Sequence, residues 1–95
     1  MKQTSYLNQL ATFRAVEVCN MRNINHDGLY KYIPDESIYF GENIAWKFKD
    51  DNSVLKGWLN SPLHKENLLK KEYTRFGIGR NWCKGRSIII LFLSD

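Results

Sequence analysis

Ile38-Tyr39-Phe40-Gly41-Glu42-Asn43-Ile44-Ala45-Trp46-Lys47-Phe48 alternates large apolar side chains with smaller or polar ones. A period of two is the mark of a β-strand with one buried face. Ile38, Phe40, Ile44, Trp46 and Phe48 share that face, and Glu42 stands alone among them. A continuous strand therefore aims a carboxylate where Ile or Phe belongs. The two histidines of the chain flank this strand, His26 upstream and His64 downstream. Two imidazoles and one carboxylate thus come from three separate segments, and these are the side-chain types of a metal or general acid/base site.

Upstream, Ser5 to about Met21 is predicted to be a helix, because Leu7, Leu10, Ala11, Val18 and Met21 recur at helical spacing on one face. Arg14 intrudes on that stripe, and either extends its head to water or meets a carboxylate. Asn23-Ile24-Asn25-His26-Asp27-Gly28 is rich in turn formers and ends the helix. Tyr30 to Glu36 is predicted to be a loop with Pro34-Asp35 as its turn.

Downstream, Asp50-Asp51-Asn52-Ser53 supplies an N-cap for a helix carrying Val54, Leu55, Trp58 and Leu59. Ser61-Pro62 restarts the chain with a cap residue and Pro at the first helical position, so His64 falls in the first turn of a short helix ending near Leu69. Thr74 to Gly79 and Arg86 to Leu93 are predicted strands, joined by a hairpin turn at Lys84-Gly85. Gly77 and Gly79 let their strand pass close to a neighbour. Helices, one early strand and a late hairpin point to an α+β layered fold with an antiparallel sheet.

The chain has 95 residues, the size of one domain. No repeat, linker or low-complexity tract divides it. A chain of this length hides only about 60 to 65% of its unfolded surface, so its three Trp, five Tyr and five Phe matter to the core. The opening residues lack the apolar region of a signal peptide, and the longest apolar run, Ile88 to Leu93, falls far short of the roughly 20 residues of a membrane span. Either a signal was removed from this chain, or another route carries the protein, or it stays inside the cell. The net charge of +4 belongs to the last third: Lys65, Lys70, Lys71, Arg75, Arg80, Lys84 and Arg86 face only Glu66, Glu72 and Asp95. Such an excess suits a polyanionic partner or a solvated face. Cys19 and Cys83 lie far apart, as one disulfide or as two buried thiols.

His64, near the positive end of a helix dipole, is disposed to stay neutral, the form that binds metal. Two imidazoles leave positions on a bound Zn²⁺ for water, as a catalytic metal requires, whereas a structural zinc site normally has four protein ligands. Glu42 is then a general base, or an acceptor that fixes a histidine tautomer. The His-Glu-x-x-His helix, the Gly-x-Ser-x-Gly elbow, the phosphate-binding glycine loop and the Cys-x-x-Cys pair are all absent from the sequence.

Taken together, His26, the Gly41-Glu42-Asn43-Ile44-Ala45 box, Trp58, Ser61-Pro62-Leu63-His64 with Asn67-Leu68-Leu69, and Phe76-Gly77-Ile78-Gly79 resemble the CAP superfamily: cysteine-rich secretory proteins, antigen 5 and pathogenesis-related 1. The resemblance is strongest to its bacterial branch and runs from about Leu10 to Leu93. It implies a single CAP-like (SCP-like) domain over residues 1–95, built as an α-β-α sandwich with a central antiparallel sheet. The family's first helix has no counterpart before Ser5, which implies a trimmed or naturally minimal version.

The resemblance also implies that His26 and His64 are metal ligands and that Glu42 is the first acid of the site. The second family acid closes a Trp-x-x-Glu pattern, which here reads Trp58-Leu59-Asn60-Ser61; Ser61 replaces the carboxylate. Cys19 and Cys83 resemble a helix-to-strand disulfide of the secretory members, a bridge contributing on the order of 3 to 4 kcal/mol.

Two functions follow from the resemblance. One is a metal-assisted hydrolase, extracellular or at the cell wall, with His26, His64 and Glu42 as catalytic residues and a divalent metal, zinc first, as cofactor. The other is a non-catalytic module for a lipid, a cell-wall glycan or a protein partner. A monomer is the expected working form. A nucleic-acid interface at Lys70, Lys71, Arg75 and Arg80, with Tyr73, Phe76 and Trp82 interleaved, ranks last, because those aromatics are more economically explained as core.

Overall fold

A computed structural model describes residues 1–46 and 51–95. In chain order its elements are β1 (Lys2–Gln3), α1 (Ser5–Cys19), a 3-10 turn (Leu29–Tyr32), β2 (Phe40–Trp46), α2 (Asp51–Asn60), α3 (Pro62–Leu69), β3 (Arg75–Cys83) and β4 (Arg86–Ser94). The strands form one sheet in the order β1-β3-β4-β2. β2 and β3 both run antiparallel to β4, with Glu42 opposite Phe92 and Gly77 opposite Phe92 on its other side. β1 adds a two-residue parallel edge to β3.

The helices cover the sheet on both faces because β4 buries both of its sides. Ile88, Ile90 and Phe92 pack with Ala11, Ala15, Val18 and Cys19 of α1 and with Ile44 of β2. Ile89, Leu91 and Leu93 pack instead with Val54 and Trp58 of α2, Ala45 and Tyr73. An unbroken apolar run in the last strand is what a central, doubly covered strand requires. The result is the α-β-α sandwich.

α1 starts at Thr4, whose hydroxyl accepts the Leu7 N–H, and stops at Asn20. It lies so close to β3 that a Cβ on Gly77 would sit 2.2 Å from the Leu7 carbonyl carbon, and one on Gly79 2.1 Å from the Thr12 nitrogen. Gly77 and Gly79 therefore set the distance between helix and sheet. Lys84 and Gly85 adopt φ of 52° and 76° at the hairpin turn, the left-handed pair of a type I′ turn. Cys19 and Cys83 form a disulfide joining the end of α1 to the end of β3.

Several expectations are corrected. The sheet is mixed rather than wholly antiparallel, because Lys2 and Gln3 pair with Arg75 and Phe76; two residues carry no readable period. Ile38 lies outside β2 and is 82% exposed, and the loop after His26 contains the 3-10 turn. Ser61 and Pro62, by contrast, stand as expected, at the N-cap and the first position of α3, although Ser61 makes no side-chain capping hydrogen bond. Lys47, Phe48 and the Asp50 of the cap cluster lie outside the described residues.

Candidate functional site

Glu42 and Arg14 are the odd members of two apolar faces that meet, and they meet each other. Both are buried. Arg14 donates from Nε to Glu42 Oε2 at 2.6 Å and from Nη2 to Glu42 Oε1 at 3.0 Å. Its remaining nitrogen, Nη1, donates to Glu17 Oε1 at 2.5 Å and to the Asp27 carbonyl at 2.8 Å. Lys31 pairs with the other oxygen of Glu17. Burial pulls the Arg14 guanidinium down, but the hydrogen bonds and charges of Glu42 and Glu17 more than offset it, so it ends above its ordinary range. The Tyr32 ring covers the guanidinium at 5.7 Å.

His26 reaches the same carboxylate from the loop after α1, with Nδ1 2.8 Å from Glu42 Oε1. Glu42 pairs with a guanidinium as a carboxylate and so only accepts. His26 Nδ1 is therefore the donor, and in the neutral ring that leaves Nε2 as the bare nitrogen, on a side chain that is 56% exposed. Gly28 lets the loop turn back onto this cluster. Its φ is +84°, and a Cβ there would crowd Glu17, Lys31 and Arg14.

His64 stands on α3, tied to the box through neighbours. Asn43, fully buried, donates to the His64 carbonyl at 3.3 Å. Asn67 of α3 donates to Asn43 Oδ1 at 3.1 Å and to the Glu42 carbonyl at 3.4 Å. Burial first, and the neighbouring charge of His26 second, hold the His64 imidazole below its ordinary range. Both favour the neutral imidazole, the form that binds metal. His64 also lines an open groove of about 410 Å³ with Ile44, Ala45, Trp46, Gly57, Trp58 and Ser61. Trp58 is fixed there by its indole N–H, which donates to the Ile44 carbonyl at 3.3 Å.

Among the described residues no three His, Cys, Asp or Glu side chains converge on a point where a metal ion would sit. The two imidazoles nevertheless fit the chemistry of an ion. His64 is neutral, and His26 gives one N–H to a carboxylate, the usual state of a metal-ligating histidine. Ser61 is at the groove where the family's second acid is expected, and it brings no carboxylate.

Of the two roles the sequence leaves open for Arg14, reaching water or meeting a carboxylate, the structure shows the second, but its partner Glu42 is not named by the sequence. The available signal was two lone charges of opposite sign, each on an otherwise apolar face. Of the aromatics weighed for a nucleic-acid interface, Tyr73 is buried and Phe76 packs against the core, while Trp82 is 73% exposed.

A family model, described as the cysteine-rich secretory protein family (CAP), matches residues 1–93. The chain belongs to the CAP family. Among individual relatives of this CAP chain, an uncharacterized membrane protein of Bacillus subtilis, YlbC, is 46% identical over 39 residues, 41% of this chain and 11% of that protein. An outer surface protein of Borrelia burgdorferi superposes with a TM-score of 0.86 at 23% identity, covering 100% of this chain and 77% of the other. An extracellular protein of Bacillus anthracis containing an SCP domain gives 0.81 at 22% identity, covering 99% of this chain and 33% of the other. At these identities the two structures speak for the CAP fold alone. Among the described residues no helix is long and apolar enough to cross a membrane.

Proposed function

We propose that this CAP domain acts outside the cell or at its envelope and holds a divalent ion, zinc first, between His26 and His64. The observation that supports this most is the His26 Nδ1 to Glu42 Oε1 hydrogen bond of 2.8 Å, which turns the bare Nε2 outward as a ligand atom. The neutral His64 supplies the second imidazole. The likeness to an outer surface protein of Borrelia and an extracellular protein of B. anthracis supports the location.

When bound at two imidazoles, a zinc ion keeps coordination positions for water and acts as a Lewis acid there. Glu42 contributes as the acceptor that fixes the His26 tautomer. A proton-abstracting role fits it less well, because both its oxygens already accept from Arg14. Titration calorimetry tests the reading: the wild-type chain takes up about one Zn²⁺, and His26→Ala and His64→Ala each weaken it at least tenfold. Equal affinity in all three proteins ends the metal proposal.

The groove beside His64 favours a second reading, a binding module for a lipid, glycan or peptide. Its walls of Trp46, Trp58 and Ile44 offer apolar contact. A folded protein that takes up no zinc leaves this reading standing.

A further inference from the structure

Arg14 grips both ends of the hydrogen bond that orients His26. On the acceptor side its Nε and Nη2 hold the two oxygens of Glu42. On the donor side its Nη1 holds the carbonyl of Asp27, the residue next to His26. Only a planar guanidinium makes these contacts at once; a lysine ammonium at the same place is a point charge without the fork. Glu17, itself paired with Lys31, fixes the guanidinium from outside. Gly28 is in the left-handed conformation that lets the His26-Asp27-Gly28 turn close over it.

We propose that Arg14 is a positioning residue for His26: by clamping Glu42 and the Asp27 carbonyl together, it holds His26 as the Nδ1–H tautomer with Nε2 presented to solvent. The inference deepens the metal reading above and rests on it for its purpose, though not for its geometry. Burial alone does not explain Arg14. Replacing a buried ion pair by apolar side chains of similar volume is often neutral or stabilising, so a core position on α1 has no need of a guanidinium. The contacts with Glu42 and Asp27 supply the need.

The experiment is long-range ¹⁵N–¹H correlation of the histidine rings in the chelator-treated, metal-free chain at about pH 8.5, above the ordinary imidazole range. Wild type is expected to show His26 Nδ1 protonated and Nε2 bare. In Arg14→Lys and Arg14→Met, with folding checked by near-UV circular dichroism, the Nδ1–H form falls to a minor population. Glu17→Gln, which leaves the Glu42 side of the fork in place, keeps the wild-type pattern.

An unchanged His26 pattern in a folded Arg14 variant overturns the proposal, because a merely structural arginine would change stability and leave the tautomer alone. An Nε2–H tautomer in wild type overturns it whatever the variants do. Should neither variant fold, the wild-type pattern decides alone, Nδ1–H in favour and Nε2–H against. A protein with the Nδ1–H pattern but no affinity for Zn²⁺ loses the metal reading and keeps the role of Arg14.

Discussion

Gly79 has no side chain to contribute, yet few positions tolerate change less. A Cβ there meets the Thr12 nitrogen and the Ala11 carbonyl carbon at 2.1 and 2.2 Å, both backbone atoms of a helix that cannot step aside. Gly79→Ala is expected to lower stability by about 3 kcal/mol, measured by thermal unfolding. Glu17 sets part of the acid response. Its partial burial works to raise it, but hydrogen bonds from Lys31 and Arg14 take it below the ordinary carboxylate range. A depressed folded-state value means that the stabilisation is present above the unfolded value and is lost as pH falls through the folded one. The unfolding midpoint is therefore expected to drop below about pH 4.5, and Glu17→Gln to flatten that limb. At this scale the sequence was legible residue by residue but not pair by pair. Arg14 and Glu42 each stood out against an apolar face, while their meeting depended on how α1 crosses the sheet, which no local spacing encodes.

The elements that carry a strong period were readable: α1, α3, the β3–β4 hairpin and the core of β2 are where helical spacing, Ser-Pro and Lys-Gly place them. β1 and the 3-10 turn were not. β1 exists through pairing with Arg75 and Phe76, and the turn through Gly28 at its cap; neither has a period of its own. The disulfide belongs to this scale, since it ties the last residue of α1 to the last residue of β3 across a separation of 64 residues. Closing a loop of that length restricts the unfolded chain. The Cys19→Ser/Cys83→Ser double variant is expected to lose about 4 kcal/mol in denaturant titration. Its helix-to-sheet contact at Gly77 and Gly79 remains in place, because that contact depends on backbone approach and not on sulfur.

For the molecule as a whole, the sheet divides the labour. One face and α1 hold the Arg14–Glu42–His26 cluster, the other packs α2, and the groove at His64 takes its walls from both, Ile44 and Trp46 with the first and Ala45 and Trp58 with the second. β2 runs between them and is an outer strand of the sheet. Two of its outward carbonyls, Glu42 and Ile44, accept hydrogen bonds from Asn67 and Trp58. An uncovered outer strand invites a neighbouring chain to add itself to the ladder, and a box rich in apolar residues would be a willing template. The Asn67 and Trp58 donors occupy those acceptors in advance. The side chains that hold α2 and α3 against the box thus also act as a guard against self-templated growth into fibrils, and protection from aggregation comes with the architecture of the cleft.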